Sequence, residues 1–155
     1  MAMKRFLIVV TIIFLGVYTP LQAQQTYTKY CNARYSFCVK YPVEFGIAPA
    51  PANNDGRRFY DDVGFSMSVY GSYNALDYSL RGQMSEDKND FDTITYQVIK
   101  NDWYVLSGYK GQDIIYKKTF MRGDIFFHLY IKYPARYKND YNAIVSQVSK
   151  SFYIR

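Results

Sequence analysis

The chain is 155 residues long, with 19 Lys and Arg, 13 Asp and Glu and one His, for a formal charge of +6. Its cations (Arg34, Lys40, Arg57, Arg58, Lys110, Lys117, Lys118, Arg122, Lys132, Arg136, Lys138) are dispersed among acids rather than gathered in a stripe, so nothing marks a nucleic-acid binder. A single histidine excludes a multi-His metal centre.

Taken in chain order, the first predicted element is a secretory signal peptide over residues 1–23. Lys4 and Arg5 form the charged n-region, Phe6 to Val17 the apolar region, and Leu21-Gln22-Ala23 a small-residue cleavage site. The apolar stretch is too short for a comfortable membrane span. Cleavage would leave residues 24–155 as one exported domain with no stable membrane anchor, and losing Lys4 and Arg5 would lower the formal charge from +6 to +4. About 130 residues suffice to bury a core. The expected location is the periplasm or the extracellular medium.

Cys31 and Cys38 are the only cysteines of the chain. In an oxidising compartment they can form a single bridge, the alternative being two small buried thiols. Their spacing is not Cys-x-x-Cys, and no Lys or His cluster stands nearby to stabilise a reactive thiolate. Tyr35 to Tyr41 alternates as a strand ending at Pro42. A loop is expected from Pro42 to Gly56, with Pro49, Pro51 and the turn formers Asn53-Asn54-Asp55-Gly56. Arg57 to Asp61 and Phe65 to Tyr70 read as a hairpin. Asn74 is the expected cap of a helix carrying Leu76, Leu80 and Met84 on one stripe, ended by the polar run Ser85 to Asp92.

Ile94 to Val98, Trp103 to Gly108, Gln112 to Met121 and Ile125 to Tyr133 are separated by short Gly- and Asn-containing turns. This predicts a four-stranded antiparallel meander. A closing helix is expected from about Asn139, with Tyr141, Ile144, Val145 and Val148 facing inward and Phe152 just past its end. The predicted class is α+β, a largely antiparallel sheet (meander plus N-terminal strands) covered by two helices as a sandwich.

This order of strand, Tyr41-Pro42, Pro-rich loop, Asn54-Asp55-Gly56, hairpin, helix, meander, Tyr133-Pro134 and closing helix ending Lys150-Ser151-Phe152 resembles small exported bacterial proteins of the PsbP-like superfamily. That superfamily includes a lumenal subunit of photosystem II and a nuclear import factor that binds the GTPase Ran. The resemblance spans nearly all of the chain after the signal. It implies a non-enzymatic accessory role, docking on a larger partner, and it carries over no catalytic, cofactor or metal residue.

A search for chemistry residue by residue agrees. His128 lies within Phe126-Phe127-His128-Leu129-Tyr130, on the face shared with Phe126, Tyr130 and Lys132, and reads better as a satisfied sheet histidine than as a general base. Two acid- or amide-rich stretches, Asn53, Asn54, Asp55, Asp61 and Asp62, and Glu86, Asp87, Asn89, Asp90 and Asp92, read as solvated turns rather than calcium loops: the first is split by Arg57 and Arg58, the second has no Gly. Eighteen tyrosines suit both strand surfaces and recognition patches for protein or glycan. The favoured contact region is the Pro-rich loop with Ile47, Pro49, Pro51, Asn54, Arg57 and Arg58, because recognition usually sits on long loops of rigid scaffolds. The expected function is an exported binding protein with a protein partner in the cell envelope. A periplasmic inhibitor or immunity-type protein and a hydrolase with an unrecognised site are the alternatives; oligomeric state is left open.

Overall fold

The computed structural model describes residues 25–155, so the expected signal peptide lies outside the described residues. Ten strands and two α-helices follow in the order β1 (Tyr27–Asn32), β2 (Phe37–Pro42), β3 (Gly46–Ile47), β4 (Gly56–Tyr60), β5 (Ser66–Tyr73), α1 (Leu80–Asp87), β6 (Thr93–Ile99), β7 (Trp103–Lys110), β8 (Asp113–Arg122), β9 (Ile125–Pro134), α2 (Lys138–Ser151) and β10 (Tyr153–Ile154). Seven strands form one sheet in the order β3-β4-β5-β9-β8-β7-β6, and β1-β2-β10 form a second, smaller one. The predicted meander is β6 to β9. It is extended by the hairpin, because β5 pairs along β9 from Ser66 opposite Lys132 to Tyr73 opposite Ile125. The class is α+β, as expected.

Alternation along β9 assigns the two faces. Phe127, Leu129, Ile131 and Tyr133 enter the main core with Phe37, Val39, Phe59, Phe65, Met67 and Val69 and with Tyr141, Val145 and Val148 of α2. Phe126 turns the other way and packs with Tyr104, Leu106 and Leu80 and Met84 of α1. The helices therefore cover opposite faces of the large sheet, and the small sheet shares the α2 side. Helix α2 is also tied down by polar groups. Lys118 Nζ donates to the Ser149 carbonyl at 2.9 Å, and the Tyr116 and Ser149 hydroxyls are 2.6 Å apart.

Four local expectations need correction. The first strand of the described chain is β1, which sequence reading missed: its one fully buried residue is Asn32, so it shows no apolar alternation. Tyr35 and Ser36 belong to the turn, not to β2; Ser36 is left-handed (φ 54), and Asn32 Oδ1 accepts from the Tyr35 amide at 2.9 Å. The Pro42 to Gly56 segment is not wholly loop, since Gly46–Ile47 pairs with β4 and Gly56 belongs to β4. Asn74 does not cap α1. Its side chain accepts from the Tyr78 amide and donates to the Tyr78 carbonyl, both at 2.8 Å, closing a turn through left-handed Asp77. Ser79 caps the helix by accepting from the Gly82 amide, and Leu76 is left outside the stripe and 71% exposed.

Tyr35 explains the glycine opposite it. Its ring lies so close to Gly71 that an added Cβ would come within 2.4 Å, so the β1–β2 turn can seat on the large sheet only if that position has no side chain.

Cys31 and Cys38 are directly opposed across β1 and β2, with Cα atoms 4.1 Å apart, and they are joined as a disulfide. The bridge closes a short hairpin, which in the chain-entropy model contributes about 2 to 3 kcal/mol. The Cys31→Ser, Cys38→Ser double variant is expected to lose about that much in urea denaturation, while the native protein shows no titratable thiol; two reactive thiols would disprove the bridge.

Candidate functional site

On the α1 face of the large sheet, the pairings place polar groups in neighbouring rows. Tyr70, His128, Thr119 and Tyr104 lie side by side across β5, β9, β8 and β7; Ser68, Tyr130, Lys117 and Leu106 form the next row. His128 is buried, with Nε2 3.1 Å from the Ser72 hydroxyl and Nδ1 3.1 Å from the Thr119 hydroxyl. Its ring stacks on Tyr70 with centroids 4.7 Å apart. Burial pushes its pKa down to about 4, against a weaker opposing pull from Asp87. Ser72 and His128 thus have the contact of a nucleophile–base pair but not its chemistry. The far nitrogen meets a hydroxyl instead of an orienting carboxylate, and burial disfavours the imidazolium that proton abstraction would create.

Lys117 projects from β8 between Asp87 at 3.1 Å and Asp90, joining the sheet to the end of α1 and the 3-10 turn after it. The Tyr104 hydroxyl donates to Asp87 at 2.5 Å, and Gln83 Nε2 donates to the same carboxylate at 3.2 Å. Lys117 and Asp87 side chains are each only 12% exposed. Burial opposes the charge on Lys117, and Asp87 and Asp90 outweigh it, so the ammonium titrates above the usual Lys range. Burial and then Asp87 drive the Tyr104 phenol well above the usual range, keeping it a donor. Asp87 and Asp90, candidates for a cation loop, are thus engaged by a lysine.

Three further acids of these stretches are also engaged. Asp61 Oδ1 accepts from the amides of Val63, Gly64 and Phe65 at 2.8 to 2.9 Å, and its second oxygen accepts from the Tyr141 hydroxyl. Asp55 accepts from Asn53 Nδ2 at 2.8 Å, and Asp92 from the Gly111 amide at 2.7 Å. The three amide contacts of Asp61 are the turn bonds that Asp makes with nearby backbone. Among the described residues, no group of three or more His, Cys, Asp or Glu is arranged to hold a metal ion.

The Pro-rich loop gives a defined recess. Ala48, Pro49, Pro51, Asp55, Arg57, Arg58, Ser68 and Tyr70 line a cavity of about 380 Å³ at the β3–β4 end of the sheet. The loop is anchored at both ends: Ala48 N donates to the Arg58 carbonyl at 2.9 Å, Asn54 N to Pro51 at 2.9 Å, Gly71 N to Asp55 at 3.0 Å, and Asn32 Nδ2 to Asn54 at 3.0 Å. Arg57 packs over the Tyr30 ring, and Arg58 is exposed. Pro49, Pro51, Arg57 and Arg58 all line this recess, Arg57 and Arg58 from opposite faces of β4. Asn54, left-handed at φ 49, shapes the loop behind it, and Ile47 sits half-exposed on β3 outside the recess. Tyr70, one of the tyrosines that sequence reading offered for a recognition patch, joins this recess to the His128 row through the β4–β5 hairpin.

No protein-family model and no curated protein matches the chain. Solved structures do. Cyanobacterial PsbP from Synechocystis superposes with a TM-score of 0.61 at 12% identity, over 91% of this chain and 99% of that one. The fold is PsbP-like. The Ran-binding protein Mog1p of Saccharomyces cerevisiae matches with a TM-score of 0.56 at 8% identity, over 84% of this chain and 96% of its own. A Bacteroides thetaiotaomicron protein matches at 0.55 and 15%, over 82% of this chain and 48% of that one. At these identities the likeness is one of fold.

Two measurements test this face. The His128 pKa is depressed in the folded state, so the unfolded chain binds more protons between its ordinary value near 6.5 and about 4. Stability is then full above pH 6.5 and falls as pH drops through that window, by on the order of 3 kcal/mol; in His128→Gln this part of the slope should vanish. Lys117→Met would leave Asp87 buried against Asp90 with no cation, an expected loss of about 3 to 5 kcal/mol in thermal or urea unfolding.

Proposed function

We propose that residues 24–155 are an exported, non-enzymatic accessory protein of the cell envelope that acts by docking on a protein partner, and that the recess of the Pro-rich loop is its contact surface. One observation carries this reading. Pro49, Pro51, Tyr70 and the cationic Arg57 and Arg58 converge on a recess whose loop is fixed at both ends by backbone hydrogen bonds. A loop already held in place loses little conformational freedom on binding, which favours recognition. Rings and guanidinium groups are the side chains that dominate protein contacts.

Three further observations support it. The one histidine has both ring nitrogens committed to hydroxyls, which leaves the hydrolase alternative without a base at His128. One fold neighbour is a Ran-binding protein, so this architecture serves protein recognition elsewhere. The Cys31–Cys38 bridge suits an oxidising compartment, and no helix among the described residues is long and apolar enough to cross a membrane.

Crosslinking in intact cells followed by mass spectrometry tests the reading. A chain carrying Pro49→Ser, Pro51→Ser and Arg58→Glu is expected to fold with an unchanged melting transition and to lose the crosslinked partner. An unchanged partner set would remove the loop as the interface. A tight one-to-one complex with a toxic effector would instead favour the inhibitor or immunity reading.

A further inference from the structure

The opposite end of the large sheet carries a second, independent feature. Strand β6 is the terminal strand and pairs only with β7. Its sequence, Thr-Ile-Thr-Tyr-Gln-Val-Ile, has no charge and no proline, whereas exposed edges are usually blunted by Lys, Pro or short length. The single irregularity is a register shift between Ile94 and Tyr96. Beyond it the ladder is regular. Lys100 N donates to the Trp103 carbonyl at 2.8 Å, which sets the phase: Val98 and Tyr96 exchange their backbone bonds with β7, and Gln97 and Ile99 turn their N–H and C=O outward.

A groove runs along each side of this edge. On the α1 side, Gln97 and Ile99 border a groove of about 440 Å³ walled by Arg81, Met84, Ser85 and Lys88. On the α2 side, Thr95 and Tyr96 border one of about 410 Å³ whose charged lining is Lys138 and Lys150. No Asp or Glu lines either groove. A strand added to β6 would send alternate side chains into the two grooves, toward cations on both sides.

We infer that β6 is a strand-addition site for an extended, acidic segment of a partner polypeptide, held by the outward backbone groups of Gln97 and Ile99 and selected by Arg81, Lys88, Lys138 and Lys150. A second copy of this chain fits less well. Pairing β6 with β6 would set these cationic rims against one another, and β6 has no acidic residue to offset them.

The test uses the full exported chain and a fluorescent peptide of alternating Val and Glu spanning the length of β6, with the same peptide carrying Lys for Glu as control. The Glu peptide is expected to bind at least about tenfold tighter at low salt and to slow hydrogen exchange at the Gln97 and Ile99 amides. Gln97→Pro removes an outward N–H that β7 does not use, so it should abolish binding and leave the melting transition in place. If that variant does not fold, Arg81→Glu with Lys138→Glu decides, since it alters only the rims and should bring the Glu peptide down to the affinity of the Lys peptide. Equal affinity for the two peptides would overturn the inference. So would protection outside β6, or a dimer in sedimentation that Gln97→Pro dissolves.

Discussion

Strand β9 is hydrogen-bonded along both edges, to β5 and to β8, and from Phe126 to Leu129 every residue is buried on one face or the other. One face takes Phe127, Leu129, Ile131 and Tyr133 into the main core. The other takes Phe126 and His128 beneath the α1 side. Because the side-chain period of a strand is two, a slip of one residue would exchange these sets, putting His128 in the apolar core and Leu129 beside Lys117. The cost of that exchange fixes the register of β9, and with it the registers of β5 and β8. The small sheet and both helices then seat on a surface already decided. Tyr35 over Gly71 and Phe37 against Phe127 are contacts that exist only in this register.

The polar groups of the α1 face belong to the same logic. Lys117, Asp87, Asp90 and Tyr104 form a partly buried network at the point where the chain leaves α1 for β6. Such a network stabilises little compared with apolar packing of the same volume, but removing one member leaves an unpaired charge. It therefore specifies position more than it adds stability. Helix α1 has only Leu80 and Met84 buried, too small an apolar face to define its own orientation, and the ion pairs supply what packing does not. His128 is held in the same way, by hydroxyls at both nitrogens and an aromatic ring on its face.

How much of this was readable in the sequence depended on where the apolar pattern was complete. Strands β7 to β9 and helix α2 bury one or both faces, and their turns carry Gly at positive φ, as at Gly111 and Gly123, so both period and punctuation were visible. Strand β1 buries only Asn32, and β10 is two residues long, so neither writes a pattern. Asn74 looked like a helix cap because its side chain bonds to backbone four residues on, but that bond closes a turn, and only the left-handed Asp77 tells the two apart. At the candidate contact surface, Pro49, Pro51, Arg57 and Arg58 could be named because a long Pro-rich segment stands out locally. Tyr70 could not be placed beside them. It reaches the recess through the β4–β5 hairpin, whose register with the loop the alternation of the two strands does not give.

A chain that shares 8 to 15% of its residues with its structural neighbours and keeps their architecture must conserve the layer pattern rather than particular side chains. That pattern is a property of the interior. Here the interior is occupied: β9 is buried on one face or the other from Phe126 to Leu129, the buried acid is paired with lysine, and the imidazole is satisfied. In this chain the parts that the layers leave unconstrained are the two ends of the large sheet. At one end the hairpin edge is shielded by a Pro-rich loop that turns Arg57 and Arg58 toward a recess. At the other, β6 is left open between two grooves with cationic rims. Both ends are held at fixed separation by the same antiparallel ladder, and both present positive charge beside apolar or aromatic surface. Asp61, Asp87 and Asp90 are taken up in a turn and in ion pairs, and no Asp or Glu lines the two grooves beside β6.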